Sequence, residues 1–390
     1  GQASVPDEVK VKGEPKPKPP PVDGDGESPP LPEEPQDEEN ECGLCESEDI
    51  DVYSDEESDE EEMKGRSEAE LREEALTTRH LLTHLPKNRF CQACQEAKAQ
   101  RRGARRVKIR KVRKLPEKFG DETTLDHWIA RNDISRGHGG EGVALTFRDR
   151  ATRWMECVGM RTNSIPLTVK GLRYIQGLVD KILYVYSDGA EEISAAADEV
   201  GAVHDKAIPE NKGTNAVIER TNRHVQEGVR ALLNTSGLPN IFWTYAARAF
   251  CLAANTTVDA DGTSPWHKRF GEHFCEKQYP FGCLVHYIPP KDGRKIRPKT
   301  GASAIPGVYL GRYVQSGGRL GPDHFVVDVE EFYNIDWKTG TVPSGDGRRK
   351  PHIDRTCDIV VKKSGRWKFP LKEAYDEAMS KVQGMVLDAS

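Results

Sequence analysis

The chain has no run approaching eighteen apolar residues, and its N-terminus lacks the charged-then-apolar pattern of a signal peptide. Membrane spanning and Sec-type secretion are therefore not expected, and an intracellular chain is. Apolar residues are also scarce, 36% of 390 against 31% charged, so part of the chain is expected not to fold and the rest to form two or three domains. No internal repeat is present. The nine cysteines are an odd count with two Cys-x-x-Cys pairs, which in a reducing compartment favours metal ligation over a disulfide framework. No structural disulfide is expected.

What charge there is lies unevenly. Residues 1–65 hold 23 Asp and Glu against 5 Lys, a net −18, which leaves +12 on the remainder of a chain whose total is −6. With its prolines and its acidic run ending S-D-E-E-S-D-E-E-E, the segment 1–66 cannot bury enough apolar area to offset chain ordering, and it reads as a disordered acidic tail. Cys42 and Cys45 lie within it and read as a free pair. From Lys98 to Lys118, eleven basic residues surround the single acid Glu117. Arg101, Arg102, Arg105, Arg106, Lys108, Arg110, Lys111, Arg113 and Lys114 make the linker 99–118 a phosphate-contacting stretch without base readout, and a candidate nuclear import signal.

Between tail and linker, 67–98 begins with a Ser-x-x-Glu capping signal, and a short helix is expected over 67–84. On it His80 and His84 share one face. A turn at Pro86 then delivers Cys91 and Cys94, so two imidazoles and two thiols fit one structural tetrahedral Zn²⁺. An exposed helix end beside two unconnected thiols is the alternative.

From 119 the pattern alternates between strand and helix. T-T-L-D-H-W-I-A, G-V-A-L-T-F-R-D, T-R-W-M-E-C-V-G-M and K-I-L-Y-V-Y-S-D read as strands. Helices are expected over 167–178, 191–200 and 215–235, the last with Ile218, Val225, Val229 and Leu232 as its buried stripe. A further helix ends near Thr257. Strands followed by strand and helix alternation predict a mixed α/β sheet with flanking helices over 119–262. Past Ser264, C-L-V-H-Y-I, G-V-Y-L-G-R-Y and H-F-V-V-D-V are short β runs that suggest a small antiparallel barrel over 263–340, leaving 341–390 as an extension.

Three acids occupy positions suited to metal-dependent phosphoryl transfer: Asp126 in the first strand, Asp188 at the end of a later one, and Glu219 on the following helix. Strand-end carboxylates project into the crevice beyond a sheet, and a helix packed there can present a third. Like charges converge only around a cation, and hard oxygen donors suit two Mg²⁺ or Mn²⁺ ions. Asp121 competes for the first position. Arg220 and Arg223 beside Glu219 could hold the phosphates of a DNA end or form a solvated face. His127 and His204 read as structural histidines.

The wording around these acids, Y-V-Y-S-D-G-A-E-E and H-D-K-A-I-P-E-N-K-G-T-N-A-V-I-E-R-T-N-R, resembles the integrase core of copia-type LTR retrotransposon polyproteins, within the retroviral integrase superfamily. H-L-L-T-H-L-P-K-N-R-F-C-Q-A-C resembles that family's zinc-binding segment, F-G-D-E-T-T-L-D-H-W its first catalytic strand, and S-P-W-H-K-R-F-G, P-F-G-C-L-V and G-V-Y-L-G-R-Y its following barrel of Src-homology-3 type. The likeness runs over 78–340. It implies an RNase H-like fold, with Asp126, Asp188 and Glu219 as catalytic metal ligands and His80, His84, Cys91 and Cys94 as zinc ligands. One departure is Asn215-Ala216 where the family has Asn-Gly. The implied activity is DNA strand transfer on double-stranded DNA ends and target DNA, by a self-associating protein acting in the nucleus. A decayed nucleic-acid-binding relic and an RNase H-type nuclease remain as alternatives.

Overall fold

The computed structural model describes residues 65–97, 116–130, 135–207, 215–290, 300–345, 347–361 and 366–387. Nearly all of the acidic tail, with Cys42 and Cys45, lies outside the described residues, and so do the nine basic linker residues Arg101 to Lys114.

Two helices replace the single one expected over 67–84. The first, α1 (Glu68–Glu74), opens on a capping box in which Ser67 Oγ accepts the Glu70 N–H and the Glu70 carboxylate accepts the Ser67 N–H. Thr77 then caps α2 (Thr78–Thr83) by accepting the His80 N–H. A hydroxyl that competes for backbone donors divides the pattern in two. Helix α3 (Gln92–Ala97) starts just after Cys91.

Strands β1 (Thr123–Ile129), β2 (Val143–Asp149) and β3 (Met155–Met160) form an antiparallel meander. Helix α4 (Ile165–Gln176) leads to β4 (Tyr184–Ser187), parallel to β1, and α5 (Glu191–Val200) leads to β5 (Val203–Lys206), parallel to β4. The order β3-β2-β1-β4-β5 is an RNase H-like sheet. Asp149 closes the β2–β3 turn by accepting the N–H and hydroxyl of Thr152 and the N–H of Gly120. Side-chain alternation assigns the two faces. Leu125, Leu145, Phe147 and Val185 pack on α4 and α5. Ala144, Met155 and Cys157 pack on α6 (Ala216–Ser236) and α7 (Trp243–Thr256). Ile218, Val225, Val229 and Leu232 are all buried, as their helical spacing predicts. Gly228 lets α6 approach α7 closely, because a Cβ there would overlap the Phe250 ring.

After the short helix α8 (Pro265–Phe270), the chain enters β6 (Leu284–Tyr287), β7 (Ile305–Val314) and β8 (Leu320–Asp328). A small ribbon, β9 (Val342–Ser344) and β10 (Gly347–Arg349), precedes β11 (Asp354–Thr356) and β12 (Ile359–Val360). The second sheet is antiparallel in the order β11-β8-β7-β6-β12. Its two edge strands are separated in sequence only by Cys357 and Asp358. Five flat strands would hold the edges about 19 Å apart, whereas three residue steps reach about 11 Å at most. The sheet is therefore rolled into a barrel, around Cys283, Val285, Tyr287, Tyr309 and Val326. The barrel expected over 263–340 draws both edges from residues beyond 340, because β6 and β8 need partners that the 263–340 stretch does not supply. On the other face of β7, Val308 and Leu310 join the core around α7. Helix α9 (Lys372–Leu387) follows Leu371, which is buried in that same core. The seven described cysteines form no disulfide.

Candidate active site and metal centre

The pairing of β1 with β4 matches Thr123 to Val185 and Thr124 to Tyr186. Continued two residues further, that register sets Asp126 level with Asp188, just past the end of β4, and equal parity sends both side chains to one face. Helix α6 covers that face. Its Asn222 donates Nδ2–H to Asp126 Oδ2 at 2.7 Å. Glu219 lies three residues earlier, on the same side of the helix. The other Asp126 oxygen accepts the His127 N–H at 2.7 Å, and Asp188 Oδ1 accepts the Ala190 N–H at 3.2 Å.

The charges of Asp188 and Glu219 reach Asp126. Asp126 is half-buried, and burial, then the charge of Asp188, and further the charge of Glu219 push its carboxyl up to about 6 from the usual 3.8. Asp188 and Glu219 are exposed. Asp121 stands apart from them, since its Oδ2 accepts the backbone N–H groups of Glu117 and Lys118 and closes the turn before β1. Arg223 follows Glu219 by one helical turn on the same face, while Arg220 is rotated about 100° away. Neither arginine is without a partner. His127 Nε2 lies 3.3 Å from Thr168 Oγ1, and His204 Nε2 lies 2.8 Å from Ser187 Oγ. Burial holds both imidazoles below their usual range. At Asn215-Ala216 the helix starts with no left-handed residue, so alanine imposes no strain there.

Sequence reasoning passed over two residues of this crevice. Asn222 stands in the quoted E-R-T-N, and its three-residue spacing from Glu219 is the signal that could have found it. Glu192, at the start of α5, acts by charge on His127 together with Asp188. Only the fold reveals that approach.

The second constellation is tighter. Donor atoms of His80, His84, Cys91 and Cys94 all lie within 4.8 Å of one another, and all four residues are buried. Among the described residues no other group of three or more His, Cys, Asp and Glu side chains is gathered in this way, and the three acids are not drawn together as closely. His84 does not lie within the helix, as the expected 67–84 helix required. It is the left-handed cap of α2, with φ 55°, and this turn swings its ring toward the thiols. Cys91 Sγ is 3.4 Å from His84 Nδ1, and Cys94 Sγ is 3.4 Å from His80 Nε2. The adjacent Cys94 sulfur, followed by the two imidazoles, pulls the Cys91 thiol far down toward thiolate. Thiolate and neutral imidazole donors in a buried tetrad fit a tetrahedral Zn²⁺.

No protein-family model matches the chain. It is 28% identical over 187 residues to the retrovirus-related Pol polyprotein from transposon TNT 1-94 of Nicotiana tabacum. That match covers 44% of this chain and 14% of the polyprotein, so the chain spans about a seventh of its relative. Among solved structures, the catalytic core domain of BIV integrase aligns with 38% of this chain and 92% of its own, at 15% identity and a TM-score of 0.29. The HTLV-2 integrase catalytic core domain, in complex with magnesium and in a trimeric form, aligns with 39% and 97%, at 13% identity and 0.31. Part of the chain is thus similar to a retrotransposon Pol polyprotein, and the chain carries a five-stranded mixed sheet in the RNase H-like order.

Proposed function

We propose that the protein is an integrase-like DNA strand transferase, with Asp126, Asp188 and Glu219 as ligands of two Mg²⁺ or Mn²⁺ ions. The observation that carries the reading is the register that sets Asp126 beside Asp188 under the helix bearing Glu219. Bound divalent ions would stabilise charge developing on the attacking and leaving oxygens of a phosphodiester. The side chains prepare the site. Asn222 and the His127 N–H hold the Asp126 carboxylate in one orientation, and each of its oxygens keeps a further lone pair. Asp188 accepts the Ala190 N–H and stays open to solvent. Arg223, and Arg220 with it, supplies positive charge for the phosphates of a double-stranded DNA end, and the basic linker 99–118 adds contacts without base readout. The His/Cys quartet binds one structural Zn²⁺, and quartet and barrel position DNA and support self-association. Action on nuclear DNA agrees with the basic stretch as an import signal. No described helix is long and apolar enough to cross a membrane.

A joining assay with labelled duplex ends and target DNA, in Mg²⁺ or Mn²⁺, tests the reading. Product is expected from the wild-type chain and should fall by about a hundredfold or more in Asp188→Asn, as loss of a metal ligand requires. Undiminished joining by that variant would remove Asp188 from the site.

A further inference from the structure

The His/Cys quartet and the core meet at one side chain. His84 turns Nδ1 to the thiols, 3.4 Å from Cys91 Sγ and 3.7 Å from Cys94 Sγ, which leaves Nε2 facing outward. That nitrogen lies 3.0 Å from Oγ1 of Thr235, a residue 151 positions later near the C-terminal end of α6. His80 is reversed. Its Nε2 faces Cys94, and its buried Nδ1 has no hydrogen-bond partner. One outer imidazole nitrogen is therefore held by the core and the other is not.

We propose that Thr235 is a positioning residue of the metal centre, its hydroxyl accepting His84 Nε2–H and fixing the tautomer whose Nδ1 lone pair faces the thiols. The inference rests on reading the quartet as a zinc site. A neutral imidazole carries one N–H, so ligation through Nδ1 requires the proton on Nε2. His84 is fully buried, and a buried N–H without an acceptor is costly. Thr235 supplies the acceptor, as outer partners of ligating histidines generally do. Two further contacts fasten the same surfaces. Glu96 accepts Asn234 Nδ2–H at 2.7 Å, and Ala231 of α6 packs among Ala75, Cys91, Ala93, Cys94 and Ala97. Ion binding thus stabilises α6, the helix that also carries Glu219 and Asn222, and a well-packed α6 raises ion affinity in return.

The test titrates Co²⁺ and Zn²⁺, against a competing chelator, into the full chain as wild type, Thr235→Val and Thr235→Ser. Wild type is expected to give the visible absorption of a tetrahedral Co²⁺–thiolate centre. Thr235→Val should keep the band positions, since all four ligands remain, but bind Zn²⁺ about 10–100-fold more weakly. Thr235→Ser should restore affinity. Equal affinity in Thr235→Val and wild type would overturn the role of Thr235, and so would a serine variant as weak as the valine one, which would assign the effect to methyl packing. A wild-type chain with no tetrahedral thiolate spectrum would instead reject the quartet as a metal site, and the inference with it. Circular dichroism of the metal-free chains checks folding. Should the valine variant not fold, Thr235→Ala against Thr235→Ser makes the same comparison.

Discussion

Asp126 shows how one carboxyl can belong to a site at the expense of the fold. Its ordinary value is 3.8, and burial with two neighbouring carboxylates raises it to about 6 in the folded chain. The unfolded chain releases that proton first, so metal-free stability falls as pH climbs from about 4 to about 6 and stays lower above. After a discount for partial exposure the loss is about 2 kcal/mol. Asp126→Asn should therefore stabilise the metal-free protein by about that amount at pH 7.5, and by almost nothing at pH 4, where the native aspartic acid is already neutral. Urea unfolding with chelator at both pH values measures it, and equal gains at the two would contradict the electrostatic account. At this scale the sequence distinguished Asp126 from Asp121 only by neighbouring letters. The structure separates them by what each oxygen accepts, two backbone N–H groups closing a turn in one case and an amide from a distant helix in the other.

Among the elements, α7 does more than fill the core. Asn255, fully buried on it, accepts the Met155 N–H at 2.9 Å and donates to the Met155 carbonyl at 2.8 Å. It pairs with the outer strand of the sheet as another strand would. Asn255→Leu leaves both backbone groups buried and unpaired, and should cost about 2–4 kcal/mol in denaturant unfolding. A cost below about 0.5 kcal/mol would mean that water replaces the amide. Helices and strands were largely legible in the sequence because their periods, 3.6 and 2, are local properties. The short or C-terminal elements α3, α8, α9 and β9 to β12 were not read from it, nor was the break within 67–84, where the apolar pattern continues across Thr77 but the hydroxyl ends one helix and begins another. Periodicity does not register such a competition.

Across the whole molecule, the C-terminal residues return to what precedes them. Lys350 Nζ donates to the carbonyls of Gly137 and His138, the Trp367 indole donates to Thr78 Oγ1, and Leu371 enters the core around α7. β11 and β12 close both sides of the barrel. A chain ending at Gly340 should therefore lose the barrel and not merely an appendage. We expect a lower unfolding temperature and exposure of the apolar face around Val308 and Leu310, read as increased binding of a hydrophobic dye. An unchanged melting curve would mean that the three remaining strands suffice.

The sequence by itself determined most element types of the central sheet and its helices, the buried stripe of α6, the four members of the His/Cys quartet and which acids stand at strand ends and helix starts. Each of these depends on residues a few positions apart. Only the tertiary structure decided that Asn222 holds Asp126, that Thr235 meets His84 and that the barrel closes with residues past 340. Those partners are 96, 151 and dozens of residues distant, and a hydrogen bond across such a span leaves no periodic trace, because chain folding and not local spacing brings its two ends together.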